Sequence, residues 1–184
     1  MKLRTAQTVL VLLSAPIVVG LAGASAIAAD TVLLRYRGFG RAVPTADLAS
    51  LAATGDAPES VQGLLNTAGQ DPAALQDVLT RNLSVDPNLL DSTLNSWPGE
   101  WALDQLGQVI RPPSNQANRQ ALRAALVLSA AEDGQINLLE VLQNYPTPQV
   151  VLEGDRAEEA YNQLAALLAP LSILKDIGLL TMPW

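Results

Sequence analysis

The chain has 184 residues, which is enough for one domain and a short N-terminal export segment. Its hydrophobic fraction of 49% is that of a folded protein and excludes a disordered chain. Its 184 residues contain no cysteine and no histidine, which excludes disulfides, thiolate nucleophiles and any Ser-His-Asp triad made from them, and the net charge of −7 argues against binding to nucleic acid.

Residues 1–29 have the pattern of a secretory signal. Lys2 and Arg4 form the charged start, and residues 9–21 form the apolar run. Without the signal, nine basic side chains remain against eighteen acidic ones, a net charge of −9. This acidity argues against attachment to anionic lipid, so we expect no membrane contact after cleavage. Small residues mark the predicted cleavage region at Ala26, Ala28 and Ala29.

The alternative for this segment is an uncleaved membrane anchor. Residues 9–29 are long enough to span a bilayer. Pro16 and the small residues near the end of the run favour cleavage. The mature domain is then predicted over residues 30–170, followed by an apolar tail over 171–184 without a clear period.

The first part of the mature chain is predicted to be a β-hairpin. Residues 31–43 are rich in β-branched and alternating apolar residues, with Gly38-Phe39-Gly40 as the turn. A lone hairpin is marginally stable in water. Residues 149–153 are the only other strand-like run. We therefore predict that these three segments form one small antiparallel sheet joining the two ends of the domain.

Short helices fill the region between these strands, and the pattern predicts a mainly α protein with a single core. Asp-Pro pairs at residues 71–72 and 86–87 combine an N-cap with proline at the first helical position. Asn137 and Glu140 have the spacing of a capping box. The predicted helices cover residues 45–53 (capped by Thr45), 58–67, 71 onward, 88–95, 99–110, 115–131, 137 onward and 156–169 (capped by Asp155).

The helix over residues 115–131 is predicted to lie at the centre. Its second half is apolar around nearly the whole circumference, which is typical of a buried helix. Arg119 and Arg123 lie one turn apart on it. They either reach a carboxylate or extend their stems so that the charges reach the surface, and we favour the second.

Few residues suggest chemistry. Arg35, Arg37 and Arg41 flank the hairpin turn and form a possible partner or anion contact, with a solvated turn as the preferred alternative.

Residues 133–140 match the second half of an EF-hand loop, but Ser129 and Ala131 replace the first carboxylates, so we predict no metal site and no cofactor. Trp97 and Trp101, one turn apart, could line an apolar pocket, but the favoured prediction is that they pack in the core. The pair Glu100 and Asp104 shows no hydrolytic arrangement, so no catalytic residue is predicted.

Several motifs in fixed order resemble a cyanobacterial family of unknown function. They are the RYR-x-F hairpin, the ADL…TG first helix, the VDP helix start, and the LGQVIR-P-P, ALRAAL and LLEVLQNYPT blocks, together spanning about residues 30–168. The domain of that family often precedes an α/β-hydrolase domain in longer exported proteins. The resemblance implies an exported helical accessory domain, in the periplasm or thylakoid lumen or outside the cell, without catalytic residues of its own.

We therefore predict a non-enzymatic module that binds a protein partner, with a hydrolase-like protein as the candidate. A carrier of an apolar ligand or lipid, using a cavity among the leucine-rich helices, is the alternative. A second alternative is membership of a hydrolase-labelled family whose activity belongs only to longer relatives.

Overall fold

A computed structural model describes residues 28–156 and, beyond them, Asn162 and Ala166, which are both helical. Most of the predicted signal, most of the predicted 156–169 helix and the whole 171–184 tail lie outside the described residues. The strands are β1 Thr31–Tyr36, β2 Phe39–Pro44, β3 Leu83–Ser84, β4 Ile110–Arg111, β5 Gln135–Ile136 and β6 Gln149–Glu153. The helices are α1 Thr45–Thr54, α2 Glu59–Ala68, α3 Pro72–Thr80, α4 Pro87–Leu94, α5 Trp97–Leu106, α6 Asn118–Ala130 and α7 Leu138–Gln143, with a 3-10 turn at Gly154–Arg156.

This architecture confirms the predicted fold class, mainly α with a small sheet. The main sheet has the order β2-β1-β6-β4, and its strands are mostly antiparallel. The pairing of β1 with β6 is parallel, which differs from the antiparallel prediction. The α1–α7 region between these strands acts as a long crossover, which returns β6 in the direction of β1. Strand β4 was not predicted because two residues give no periodicity.

The predicted helix starts at the two Asp-Pro pairs are confirmed. The Asp71 carboxylate accepts the Ala73 N–H at 2.9 Å, and Asp86 accepts the N–H groups of the residues at the start of α4. Thr45 differs from its predicted role as a cap. It is the first residue of α1, and its hydroxyl donates to the Ala29 carbonyl at 2.6 Å. This bond joins the helix to the segment before β1.

Helix α5 begins two residues earlier and ends four residues earlier than predicted. Ser96 is its N-cap, and Pro98 is tolerated because the first turn of a helix needs no N–H from it. Ile110, predicted as helical, belongs to β4 and pairs with Leu152 of β6. Ile110 is therefore buried as part of the sheet and not on the face of a helix.

Helix α6 has the predicted central position. It begins at Asn118 and contacts α4, α5, α7 and the short strands β4 and β5. The residues that it buries are Ala121, Leu122, Ala125, Leu126, Ser129 and Ala130. Leu128 is half exposed, so the helix is not buried all round. The core cluster includes residues from Ala29 to Leu152, which ties the two ends of the domain together.

Candidate functional site

The hairpin turn differs in detail from its prediction. Arg37 and Gly38 form it, both with positive φ (46° and 84°), where Gly38-Phe39-Gly40 was expected. Two residues of this kind match the twist of the flanking strands. A positive φ is uncommon for a non-glycine residue. Both carboxylate oxygens of Asp155 lie 3.0 Å from the Arg37 backbone nitrogen and accept its N–H, and this bond offsets the strain.

The three arginines of the hairpin point to different places. Arg35 Nη1 lies 3.6 Å from a carboxylate oxygen of Glu153. The Arg37 guanidinium lies over the ring of Tyr36, 5.4 Å from its centroid. Arg41 extends from β2 toward α2. They therefore do not converge on one ligand position.

A groove of about 580 Å³ lies where the ends of β1 and β6 meet α2, α3 and the start of α7. Its walls are aliphatic and its rim is polar. This volume and this distribution of groups are those of small-molecule sites in proteins. Residues of the wall include Leu34, Leu64, Leu65, Leu75, Val78 and Leu138.

The rim of the groove carries the hydrogen-bonding groups. Arg35 and Arg37 border it, together with Tyr36, Gln70 and Asp155. Gln70 Nε2 donates to the Tyr36 hydroxyl oxygen at 3.3 Å. Because the hydroxyl accepts this bond, its own hydrogen is free to be donated to another acceptor. The rim thus has one guanidinium and one phenol available as donors.

A second feature lies on α5, where Trp97 and Trp101 are exposed. Trp97 is 81% exposed and Trp101 is 61% exposed, so the prediction that they pack in the core is wrong. They lie one turn apart on the same side of the helix. Exposed tryptophan pairs are unusual on a protein surface and are enriched in the centres of protein interfaces.

Close packing fixes α5 in place. Gly99, near the start of α5, is buried against the end of α4. A Cβ at this position would lie 2.7 Å from the Leu94 Cα and would clash with the Thr93 carbonyl oxygen. The two helices are thus in backbone contact directly beside the tryptophans.

Arg119 also ties α5 to α6. Its Nη1 lies 2.9 Å from the Glu100 carboxylate, and its Nη2 lies 2.6 Å from the Asp104 carboxylate. The hydrogen bond from Arg119 lowers the pKa of Asp104, and the same bond raises the pKa of Arg119. Arg123 Nη2 donates to the Leu94 carbonyl at 3.1 Å. The favoured prediction that both arginines extend to solvent is therefore wrong, because each one binds an acceptor on a neighbouring helix or at its end.

The half EF-hand loop is explained by helix and strand geometry. Asp133 accepts the Gln135 N–H at 2.8 Å, and Gly134 has a positive φ of 71°. Asn137 and Glu140 form the predicted capping box. These carboxylates cap local backbone groups, and within residues 28–156 no three His, Cys, Asp or Glu side chains cluster in a way suited to a metal ion.

The predicted cleavage region is only partly described. Ala26 lies outside the described residues, Ala28 is exposed and Ala29 is buried. The carbonyl of Ala29 accepts the hydrogen bond from Thr45. Among the described residues, no helix is long and apolar enough to cross a bilayer.

Comparison with known proteins identifies the family. Residues 28–153 match a family described as alpha/beta hydrolase of unknown function (DUF1400). The chain belongs to this family. No curated protein and no solved structure gives a significant match to it. The resemblance drawn from the motifs is confirmed for the hydrolase-labelled family, while the cyanobacterial origin and the arrangement beside a hydrolase domain stay predictions.

The hydrolase label is not explained by the residues of this DUF1400 region. An α/β hydrolase uses a serine nucleophile and a histidine base. The 184 residues contain no histidine, and the described fold is mainly helical with a four-stranded main sheet.

Sequence reasoning named a cavity among the leucine-rich helices only as an alternative and did not locate it, and it missed the exposure of the tryptophans. The groove is formed by β1, α2, α3, α7 and β6, which are far apart in the sequence. The exposure of the tryptophans had a signal in the sequence, because at helical spacing they lie on the side of α5 opposite Leu103 and Leu106, which are buried.

Proposed function

We propose that this domain, predicted over residues 30–170, is an exported, non-enzymatic accessory module that binds a protein partner through Trp97 and Trp101. The observation that carries the proposal is the exposure of both indoles on one face of a helix. An isolated domain gains nothing from leaving two such side chains in water. An interface gains from them, since each buried tryptophan contributes about 2 kcal/mol or more at a hot spot.

The support beneath the pair favours the same function. Backbone contact at Gly99 and the Arg119 bonds to Glu100 and Asp104 fix α5 on both sides of the indoles. Rigid anchors lose little conformational entropy on binding. A partner surface with an apolar pocket for two adjacent indoles fits this face.

The partner that we propose is an exported protein with an α/β-hydrolase fold. The family description names such a hydrolase, whereas these residues contain no histidine for its usual catalytic base. An accessory module beside a hydrolase accounts for both facts. Export rests on the signal pattern of residues 1–29, including the small residues Ala26, Ala28 and Ala29 near its end.

The test is affinity capture from an exported-protein extract of the source cells, followed by titration of the purified partner. We expect recovery of a hydrolase-fold protein by the wild-type mature chain. The double variant Trp97→Ala/Trp101→Ala should bind it at least about 100-fold more weakly. Phe39→Ala is the matched control, because Phe39 is also an exposed aromatic residue, 63% exposed, but lies on the hairpin.

Two results would contradict the proposal. Equal binding of the partner by wild type and the double tryptophan variant would show that α5 is not the interface. Hydrolysis of p-nitrophenyl esters by the purified mature chain would show that the domain is an enzyme, provided that the activity is lost when this chain is unfolded and does not come from a contaminating enzyme.

The groove favours a second candidate function, the binding of an apolar ligand. Its volume and its aliphatic walls are the specific observations. This function belongs to a different class from partner binding and uses different elements of the fold, so the two are separable by mutation.

A further inference from the structure

We propose that the groove binds a free fatty acid, with the chain between α2 and α3 and the carboxylate at Arg37. This inference rests on the second proposed function and adds the chemical class of the ligand. The groove has one apolar body and one polar rim, and an amphiphile with a single chain has the same two parts.

The walls select a flexible aliphatic chain. The side chains of α2 and α3 that face the groove are leucine, alanine and valine, such as Leu64, Leu75 and Val78. Tyr36 is the one aromatic residue among the described lining residues, and it lies at the rim. A planar aromatic ligand would lack a stacking partner along these walls. An aliphatic chain needs only dispersion contacts and removal from water.

The rim selects an anionic head group. Within the described residues, the Arg37 guanidinium contacts the Tyr36 ring and forms no ion pair, while its backbone N–H is bound by Asp155. The Tyr36 hydroxyl accepts from Gln70, which leaves its hydrogen to donate. A carboxylate accepts from both donors, and charge-assisted bonds of this kind are the stronger ones.

Other charges at the rim do not change this assignment. Arg35 Nη1 lies 3.6 Å from a carboxylate oxygen of Glu153, which also binds Arg111 at 2.7 Å, so Arg35 already has an acidic partner, although it shares that partner. Asp155 is the one acidic residue among the described lining residues of the groove, and its two oxygens accept the Arg37 N–H. Arg37 is therefore the cation that remains for a ligand among the described residues of the rim.

The experiment compares two ligands of equal chain length, laurate and 1-dodecanol, by titration calorimetry against the mature full chain after delipidation. We expect laurate to bind more tightly than dodecanol. Arg37→Gln should weaken the binding of laurate about tenfold, because one charge-assisted bond is lost, and should leave the binding of dodecanol unchanged. Arg41→Gln is the matched control, since it removes the same charge from the same hairpin outside the groove. Ala74→Trp, which fills the groove from α3, should weaken both ligands.

The outcomes separate the head-group inference from the function beneath it. If dodecanol binds as tightly as laurate, or if Arg41→Gln weakens laurate as much as Arg37→Gln does, the assignment of the carboxylate to Arg37 is overturned, while apolar-ligand binding stands. If neither ligand binds, the head-group assignment and the proposed binding of apolar ligands are both wrong. Circular dichroism of each variant checks that it is folded.

Discussion

The groove beside the hairpin and the tryptophan face of α5 present apolar surface in opposite ways. In the groove, aliphatic side chains such as Leu64 and Leu75 are half-buried in a concave surface with a polar rim. On α5, Trp97 and Trp101 project from a convex helix into solvent. Concave aliphatic surface suits a small flexible molecule, whereas projecting aromatic anchors suit a pocket on another protein.

The two regions are also supported differently. The α5 face depends on tight packing, because Gly99 brings two helix backbones together and Arg119 binds two carboxylates. The mouth of the groove depends on one hydrogen-bonded turn, in which Asp155 accepts the N–H of Arg37. The described residues thus combine an exposed face on a closely packed helix with a groove whose entrance rests on a few polar contacts, and mutations should separate the two.

The largest expected effect is that of Gly99→Ala. The added methyl group would clash with the backbone of α4, which no rotamer change can relieve. We expect a loss of about 3 kcal/mol or more in the free energy of unfolding, at the upper end for overpacking. Urea denaturation measures it. Gly40→Ala is the control, because a Cβ there has ordinary contacts with Arg35 and Leu33, at 3.6 and 3.8 Å. Equal stability of Gly99→Ala and wild type would mean that α4 and α5 are not in backbone contact.

An intermediate effect is expected from Asp155→Ala, which acts at the groove mouth. It removes the acceptor for the Arg37 N–H while the positive φ of Arg37 remains. The expected loss is about 1 kcal/mol, typical of one exposed hydrogen bond. Asp155→Asn keeps one acceptor oxygen and should lose less. Partner binding through Trp97 and Trp101 should be unchanged in both variants. A variant as stable as wild type would show that this bond does not support the turn.

Local signals in the sequence predicted much of the fold. The Asp-Pro pairs at residues 71–72 and 86–87 and the Asn137–Glu140 capping box define helix starts within a few residues, and the structure has them there. The apolar second half of α6 likewise predicted its central position, which the helix has although Leu128 is half exposed.

Features that depend on distant partners were not predictable in this way. The parallel pairing of β1 with β6 follows from the path of the whole helical region between them, and no local pattern contains it. The same holds for Arg119, whose acceptors lie on another helix. The prediction for the tryptophans failed because composition favours burial of indoles, whereas α5 buries the side that carries Gly99, Leu103 and Leu106 and leaves both tryptophans exposed.

The smallest expected effect is that of Arg119→Met on α5, and its pH dependence identifies the cause. Arg119 lowers the pKa of Asp104 below its ordinary value of 3.8. A carboxyl group with a lowered folded-state pKa stabilises the fold at pH values above its unfolded pKa, and this contribution is lost as the pH falls through the folded pKa. Arg119→Met should therefore be slightly less stable than wild type at neutral pH. The difference should shrink as the pH falls below 3.8, because wild type loses the same contribution there.

Thermal unfolding of both chains between pH 2 and pH 7 measures this convergence, with Arg41→Met as a control for the loss of one positive charge. A difference that stays constant across that range would assign the role of Arg119 to the packing of its stem and not to the Asp104 ion pair. The tryptophan face would then be supported by shape alone, as the groove walls are.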